Sequence, residues 1–211
     1  LLTVLRNDSI EEFESKYTSN EKLIEQYLDL LLQREKTRQS LPLSVEEQLF
    51  IMRGLSAEMV KLVITADDVD LIKLILTDVL STKIGDYLNR YDTLVDSSET
   101  KPTEVEFINK LSQHALLDRI SMQNNQIGFI NDFIFGLLIA HSTLKGQLSV
   151  NELSGKYIDI ATTAFSAHAF DKRKELYDLI IPSLSKESAQ RQIGVSLNLL
   201  GTIARKYENE Y

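Results

Sequence analysis

Three histidines, His114, His141 and His168, carry the side chains best suited to acid–base or metal chemistry, and they stand 27 positions apart. A zinc site or a general base needs such groups at one point in space, with carboxylate or further imidazole support. No two of them form an HxxxH or HExxH pair on one helix. The even spacing hints at a repeat, but the flanking residues agree poorly, so the three read as helix-face or partly buried side chains. Asp67, Asp68 and Asp70 could hold a divalent cation through oxygen ligands. Acids in a first helical turn complement the helix dipole, which accounts for them without a metal. The acidic loop around Asp96 and Glu99 lacks the glycine and ligand order of a calcium loop. Arg34, Lys36 and Arg38, with Lys172, Arg173 and Lys174, are the basic groupings, and solvated helix ends explain them. No P-loop, dinucleotide-binding glycine motif or serine-hydrolase elbow occurs. The expectation is a segment with no catalytic residue, no metal ligand and no cofactor of its own.

The bulk composition narrows the partners. A net charge of -8 opposes the positive field that phosphate binding needs, so nucleic acid is not an expected partner. Without cysteine there are no disulfides and no thiolate metal sites, which is compatible with a cytoplasmic protein. Leu1-Leu-Thr-Val-Leu5 has no Met, no basic region and too short an apolar run for a secretion signal. A chain that begins in mid-pattern reads as a fragment of a longer one. With 3 Pro and 8 Gly in 211 residues, long helices are favoured over many short strands.

The elements that would position any site follow from caps and stripes. Ser9-Ile-Glu-Glu12, Ser44-Val-Glu-Glu47 and Thr103-Glu-Val-Glu106 each have capping-box spacing and open helices. Leu23, Ile24, Tyr27, Leu28, Leu31 and Leu32 form a stripe on a helix that starts near Ser19 or Asn20 and ends before Pro42. Leu49, Met52, Leu55 and Met59 form the next. Thr65 or Asp67 opens a helix whose Leu71, Leu74, Ile75, Val79 and Leu80 are expected to face inward, followed by a turn or short helix through Ile84, Tyr87 and Leu88. From Asp92 to Thr103 the composition shifts to Ser, Thr, Asp, Glu and a Pro, so a mobile polar loop is expected there. The helix from Thr103 carries Phe107, Leu111 and Ala115. Residues 127–140 are the most apolar stretch, with only Asn131 and Asp132 polar, and at 14 residues they are shorter than the roughly 20 a membrane helix needs. No membrane partner is expected. Asn131 or Asp132 caps a central helix through about Thr143, and Lys145-Gly146 ends it. Leu117 to Ile120 and Ile127 to Phe129 could pair as a hairpin. Beyond Gly146 further stripes, ending with Ala189 to Tyr207, suggest stacked antiparallel helices. The expected fold is all-α: residues 1–145 a multi-helix bundle with a small winged-helix hairpin at its end, and 146–211 an α-solenoid-like segment.

Two blocks carry a resemblance. The first is Tyr27-Leu-Asp-Leu-Leu-Leu-Gln-Arg-Glu-Lys-Thr-Arg38 followed by residues 44–59; the second is residues 106–117 followed by 127–140. They resemble, in order, the helical region after the ATPase core of bacterial NACHT-type (STAND-class) signalling NTPases. A helix ending Arg-Glu-x-x-Arg and the winged-helix end of that region are the matching parts. The resemblance implies a non-catalytic regulatory region that relays nucleotide state to a sensor or effector, with a protein partner: an ATPase module upstream of Leu1, or oligomer neighbours. In that family a histidine of the winged-helix end approaches the nucleotide phosphates. Asn131 holds the position here, and an amide can donate a hydrogen bond but cannot become cationic. Asn131 is thus the one candidate cofactor-contacting residue. Read without the resemblance, the same chain suits a free-standing helical scaffold or adaptor for protein–protein interaction.

Overall fold

The computed structural model describes residues 20–91, 101–121 and 125–153, together with Tyr157, Ile160, Ala161, Ile181, Leu197 and Gly201. Helix α1 spans Asn20–Arg38 and helix α2 spans Val45–Lys61. Strand β1 covers Ala66–Asp68, helix α3 Val69–Leu80 and helix α4 Ile84–Asn89. Helix α5 is Glu104–Ser112, strand β2 Leu117–Ser121 and strand β3 Gln126–Phe129. Helix α6 is Asp132–Leu144, and a 3-10 turn follows at Val150–Glu152. The expected capping box at residues 9–12, the loop at 92–100, His168 and most of the stretch 146–211 lie outside the described residues.

Local chemistry decides where the helices start. Ser44 and Thr103 both close complete capping boxes, each hydroxyl accepting from the N3 amide while Glu47 or Glu106 reaches back to the cap amide. Asn131 Oδ1 accepts from the Ile134 amide at 2.8 Å and caps α6. The ends of α1, α2 and α6 share one hydrogen-bonding pattern, in which two amides turn back onto the last carbonyls. Leu41, Ile64 and Gln147 donate to Lys36, Met59 and Ser142 respectively. The left-handed residue that this pattern requires is Ser40 (φ 49°), Val63 (φ 61°) and Gly146 (φ 72°) in turn. Only Gly146 is the residue type that conformation favours.

Helix α6 forms the middle of the molecule. Nine of its thirteen residues are buried, so it meets neighbours on nearly every side, as an almost wholly apolar helix must. It packs against α2 and touches β3. Phe129 stacks on Phe135 with ring centroids 5.0 Å apart, and Tyr157 meets Phe135 edge-on at 6.1 Å. The Tyr157 hydroxyl then donates to the Ile64 carbonyl at 3.1 Å. Leu148, Val150, Leu153, Tyr157 and Ala161 belong to the same core. Phe133 at the first turn is the exception, 38% exposed, while Leu137 is 2% exposed. No helix among the described residues is long and apolar enough to cross a membrane.

The fold is mostly helical, but it is not free of strands. The expected hairpin forms: β2 and β3 pair antiparallel, with Leu117 opposite Phe129 and a bulge between Arg119 and Ser121. A third strand was not expected. Ala66, Asp67 and Asp68 pair antiparallel with Gly128, Ile127 and Gln126, so the sheet order is β1-β3-β2. These residues have no strand propensity. They are strand because β3 offers them a second row of backbone donors and acceptors. The helix that the sequence starts at Thr65 or Asp67 therefore starts later. Asp68 is its cap, accepting from the Asp70 amide at 2.9 Å. Leu74 faces solvent at 65% exposure and does not join the core, whereas Ile72, Ile75 and Leu76 do. Helix α5 stops at Ser112, short of Ala115, because the chain turns into β2.

Candidate functional site

Polar side chains that the core should reject are gathered where α1 and α2 meet the end of α5. Glu35 follows Leu28 and Leu32 at seven and three positions on α1, so it occupies the buried face, and it is fully enclosed. Its carboxylate accepts from Arg38 Nε at 3.1 and 3.0 Å, and also from Arg38 Nη2 and Gln39 Nε2. Burial pushes this carboxyl up, but the hydrogen bonds from Arg38 and Gln39 and the neighbouring charges hold it below its ordinary value. Arg38 Nη2 and Gln39 Nε2 also donate to the Gln113 carbonyl at 2.8 and 3.1 Å. Lys110 Nζ donates to the Gln39 carbonyl at 3.0 Å. The end of α5, which would otherwise leave carbonyls unsatisfied, is thus met by donors from the end of α1.

His114 lies directly beyond. Its Nδ1 accepts from the Leu116 amide at 3.1 Å, so the ring proton sits on Nε2 and is donated to Gln48 Oε1 at 3.1 Å. Both His114 and Gln48 are fully buried. Desolvation pushes the His114 imidazole down to about 4, with Glu35 opposing and Arg38 adding to the shift. The ring is neutral at neutral pH and both nitrogens are committed. It cannot take a proton from a ligand without breaking the Leu116 contact, so its chemistry is that of a brace. Ser142 Oγ on α6 supplies a second polar tie, donating to the Arg53 carbonyl at 2.8 Å beside Ser56 Oγ at 3.1 Å.

The residues singled out from the sequence do not converge. Asn131 stands exposed at the start of α6, with its oxygen engaged as the helix cap. His141 is half-buried in the last turn of that helix. Asp67 Oδ1 accepts from the Asp68 amide at 2.7 Å, and Asp68 caps α3. Arg34, Lys36 and Arg38 are all exposed, but Arg38 also binds the buried Glu35 and the Gln113 carbonyl and is more than a solvated helix end. Lys172, Arg173 and Lys174 lie outside the described residues. Among the described residues no group of three His, Cys, Asp or Glu side chains could hold a metal ion.

Sequence reasoning missed Glu35 and Gln48. A signal existed for both: each continues an apolar stripe, Glu35 after Leu28 and Leu32, Gln48 before Ile51, Met52 and Leu55. A polar residue on a buried stripe needs a partner, and the partners come from a distant helix. No family model matches the chain, and neither a curated protein nor a solved structure does.

Proposed function

We propose that residues 45–144 form a winged-helix module that serves as the non-catalytic regulatory part of a larger NACHT-type (STAND-class) NTPase. It works by protein contact, relaying nucleotide state to a sensor or effector region. The observation that carries this reading is the order of elements. Helix α2, strand β1, helix α3, helix α5 and the β2–β3 hairpin follow one another, with β1 beside β3 in the sheet. That order supports a winged-helix reading with α4 as an insertion, and a helix, hairpin and helix are what the resemblance requires at this point of the chain.

A winged helix can read DNA or contact protein, so the fold alone does not choose. Charge supports protein. The helix that would enter a major groove is α5, and its first turn exposes Glu104 and Glu106. With a net charge of -8 for the chain, that surface repels phosphates. The His114 brace and the Glu35 cluster suit a part that must keep its shape while transmitting force. In this reading Asn131, exposed at the start of α6, is the residue that meets a nucleotide held by the ATPase module.

The test begins with the intact gene. A P-loop is expected upstream in the same reading frame, within roughly 300 residues of Leu1. The intact protein should change oligomeric state between ADP and ATP, measured by light scattering after size exclusion. Removing residues 45–144 should uncouple that change from nucleotide. An upstream region without a P-loop refutes the reading and leaves the free-standing scaffold in its place.

A further inference from the structure

An open cleft of about 390 Å³ lies between α2 and α4. One turn after another of each helix contributes to it: Glu46, Glu47, Phe50 and Arg53 from α2, and Lys83, Asp86 and Arg90 on the other side. Arg53 is the unusual member. It is only 9% exposed, and its Nε is buried with no hydrogen-bond partner. Desolvation lowers its affinity for the proton, and Glu46 pulls the other way without forming an ion pair among the described residues. A guanidinium remains charged even so, and a buried donor left unmet is costly.

Arg90, Glu47 and Lys83 already have contacts. Arg90 Nη1 holds both oxygens of Glu47 at 2.8 and 2.9 Å, while the Ser44 amide donates to the same carboxylate at 2.8 Å. Lys83 Nζ sits 4.1 Å from the centre of the Phe50 ring. What remains is Arg53, whose buried Nε is unmet, lining the same cleft as Lys83, with exposed Glu46 and Asp86 at the rim.

We propose that this cleft binds a carboxylate, taken by the Arg53 guanidinium with Lys83 as the second cation. A singly charged planar carboxylate matches a guanidinium edge. A phosphate dianion brings a second negative charge toward Glu46 and Asp86, which disfavours it. The carboxylate can come from a Glu or Asp side chain of a protein segment or from a small organic acid.

The chain, labelled with 15N, is titrated with N-acetylglycine, with inorganic phosphate and with a short peptide blocked at both ends and bearing one Glu. Saturable shifts are expected at the amides of Phe50, Arg53 and Lys83 with both carboxylates. Tighter binding of the peptide identifies a protein segment as the source; equal affinities identify a small acid. Arg53→Met, which keeps the apolar stem, should weaken binding about tenfold or more, and Arg53→Lys should recover only part of it. Glu46→Gln should tighten binding, which keeps the idea testable if the Arg53 variants fail to fold. Absent shifts, tighter binding of phosphate, or unchanged affinity in both Arg53→Met and Glu46→Gln would overturn the assignment.

Discussion

Three glycines turn the packing of this protein into a graded test, because the same substitution to alanine should have three different outcomes. Gly136 lies in the middle of α6. A Cβ built there would come 2.1 Å from the Ile160 carbonyl oxygen and 2.8 Å from its carbon. Ordinary contact needs about 3.5 Å, so the helix or the facing backbone must move by more than an ångström. Overpacking of this kind costs about 1–3 kcal/mol, and a backbone carbonyl cannot swing aside as a side chain can. Replacing a helical glycine contributes about 1 kcal/mol in the other direction. Gly136→Ala should therefore lose up to roughly 2 kcal/mol net, near that upper end because the obstacle is backbone. At Gly54 the new Cβ meets Val79 Cγ1 at 2.7 Å, a side-chain atom. Gly54→Ala should cost less, and the double variant Gly54→Ala with Val79→Ala should relieve the clash that the single variant carries. At Gly85 nothing lies within 4 Å, so Gly85→Ala should stabilise by about 0.5–1 kcal/mol. Urea denaturation followed by helical circular dichroism gives each midpoint, with an unchanged slope as the condition for comparing them. If Gly136→Ala proves as stable as the parent chain, α6 is not seated against residues 160–161 and the account of the core is wrong.

Val63 holds a left-handed conformation at the end of α2, which a β-branched side chain resists. Val63→Gly should raise stability by about 1 kcal/mol or more, and Gly146→Ala, at the same place in the same motif of α6, should lower it by a similar amount. The two thermal midpoints must move in opposite directions. His114 is pushed down to about 4 from an ordinary 6.5, so the folded state favours the neutral ring. Its contribution is complete above pH 6.5 and is lost as the pH falls through 4, a ceiling of about 3 kcal/mol. The stability–pH slope between these values should flatten in His114→Gln, and a His114 C2 proton titrating near 6.5 would contradict the brace. Asn131→Ala should cost about 1 kcal/mol through the lost cap, while Asn131→Ser should be nearly neutral.

The caps of α2, α5 and α6 could be read directly, because a side chain and an amide three residues apart need no distant partner. The hairpin was legible too, from two short apolar runs around a polar turn. The clustering of Glu35, Gln48 and His114 was not. Each looks like an ordinary helix residue until the end of α5 is laid across α1 and α2. Arg53 was hidden for the same reason. Its Nε is left without a partner only once the fold has buried it and Arg90 has taken Glu47.

From its order of residues alone, this chain determines where α2, α5 and α6 start, where α6 stops and that α6 must be enclosed. Those outcomes follow from hydrogen bonds and apolar periodicity within a few turns. The tertiary structure decided that Ala66–Asp68 would be a strand, that Leu74 would face water and that a carboxylate and an imidazole would be buried. Backbone edges and buried polar groups take their partners from segments tens of residues away, and no local pattern encodes which partner arrives.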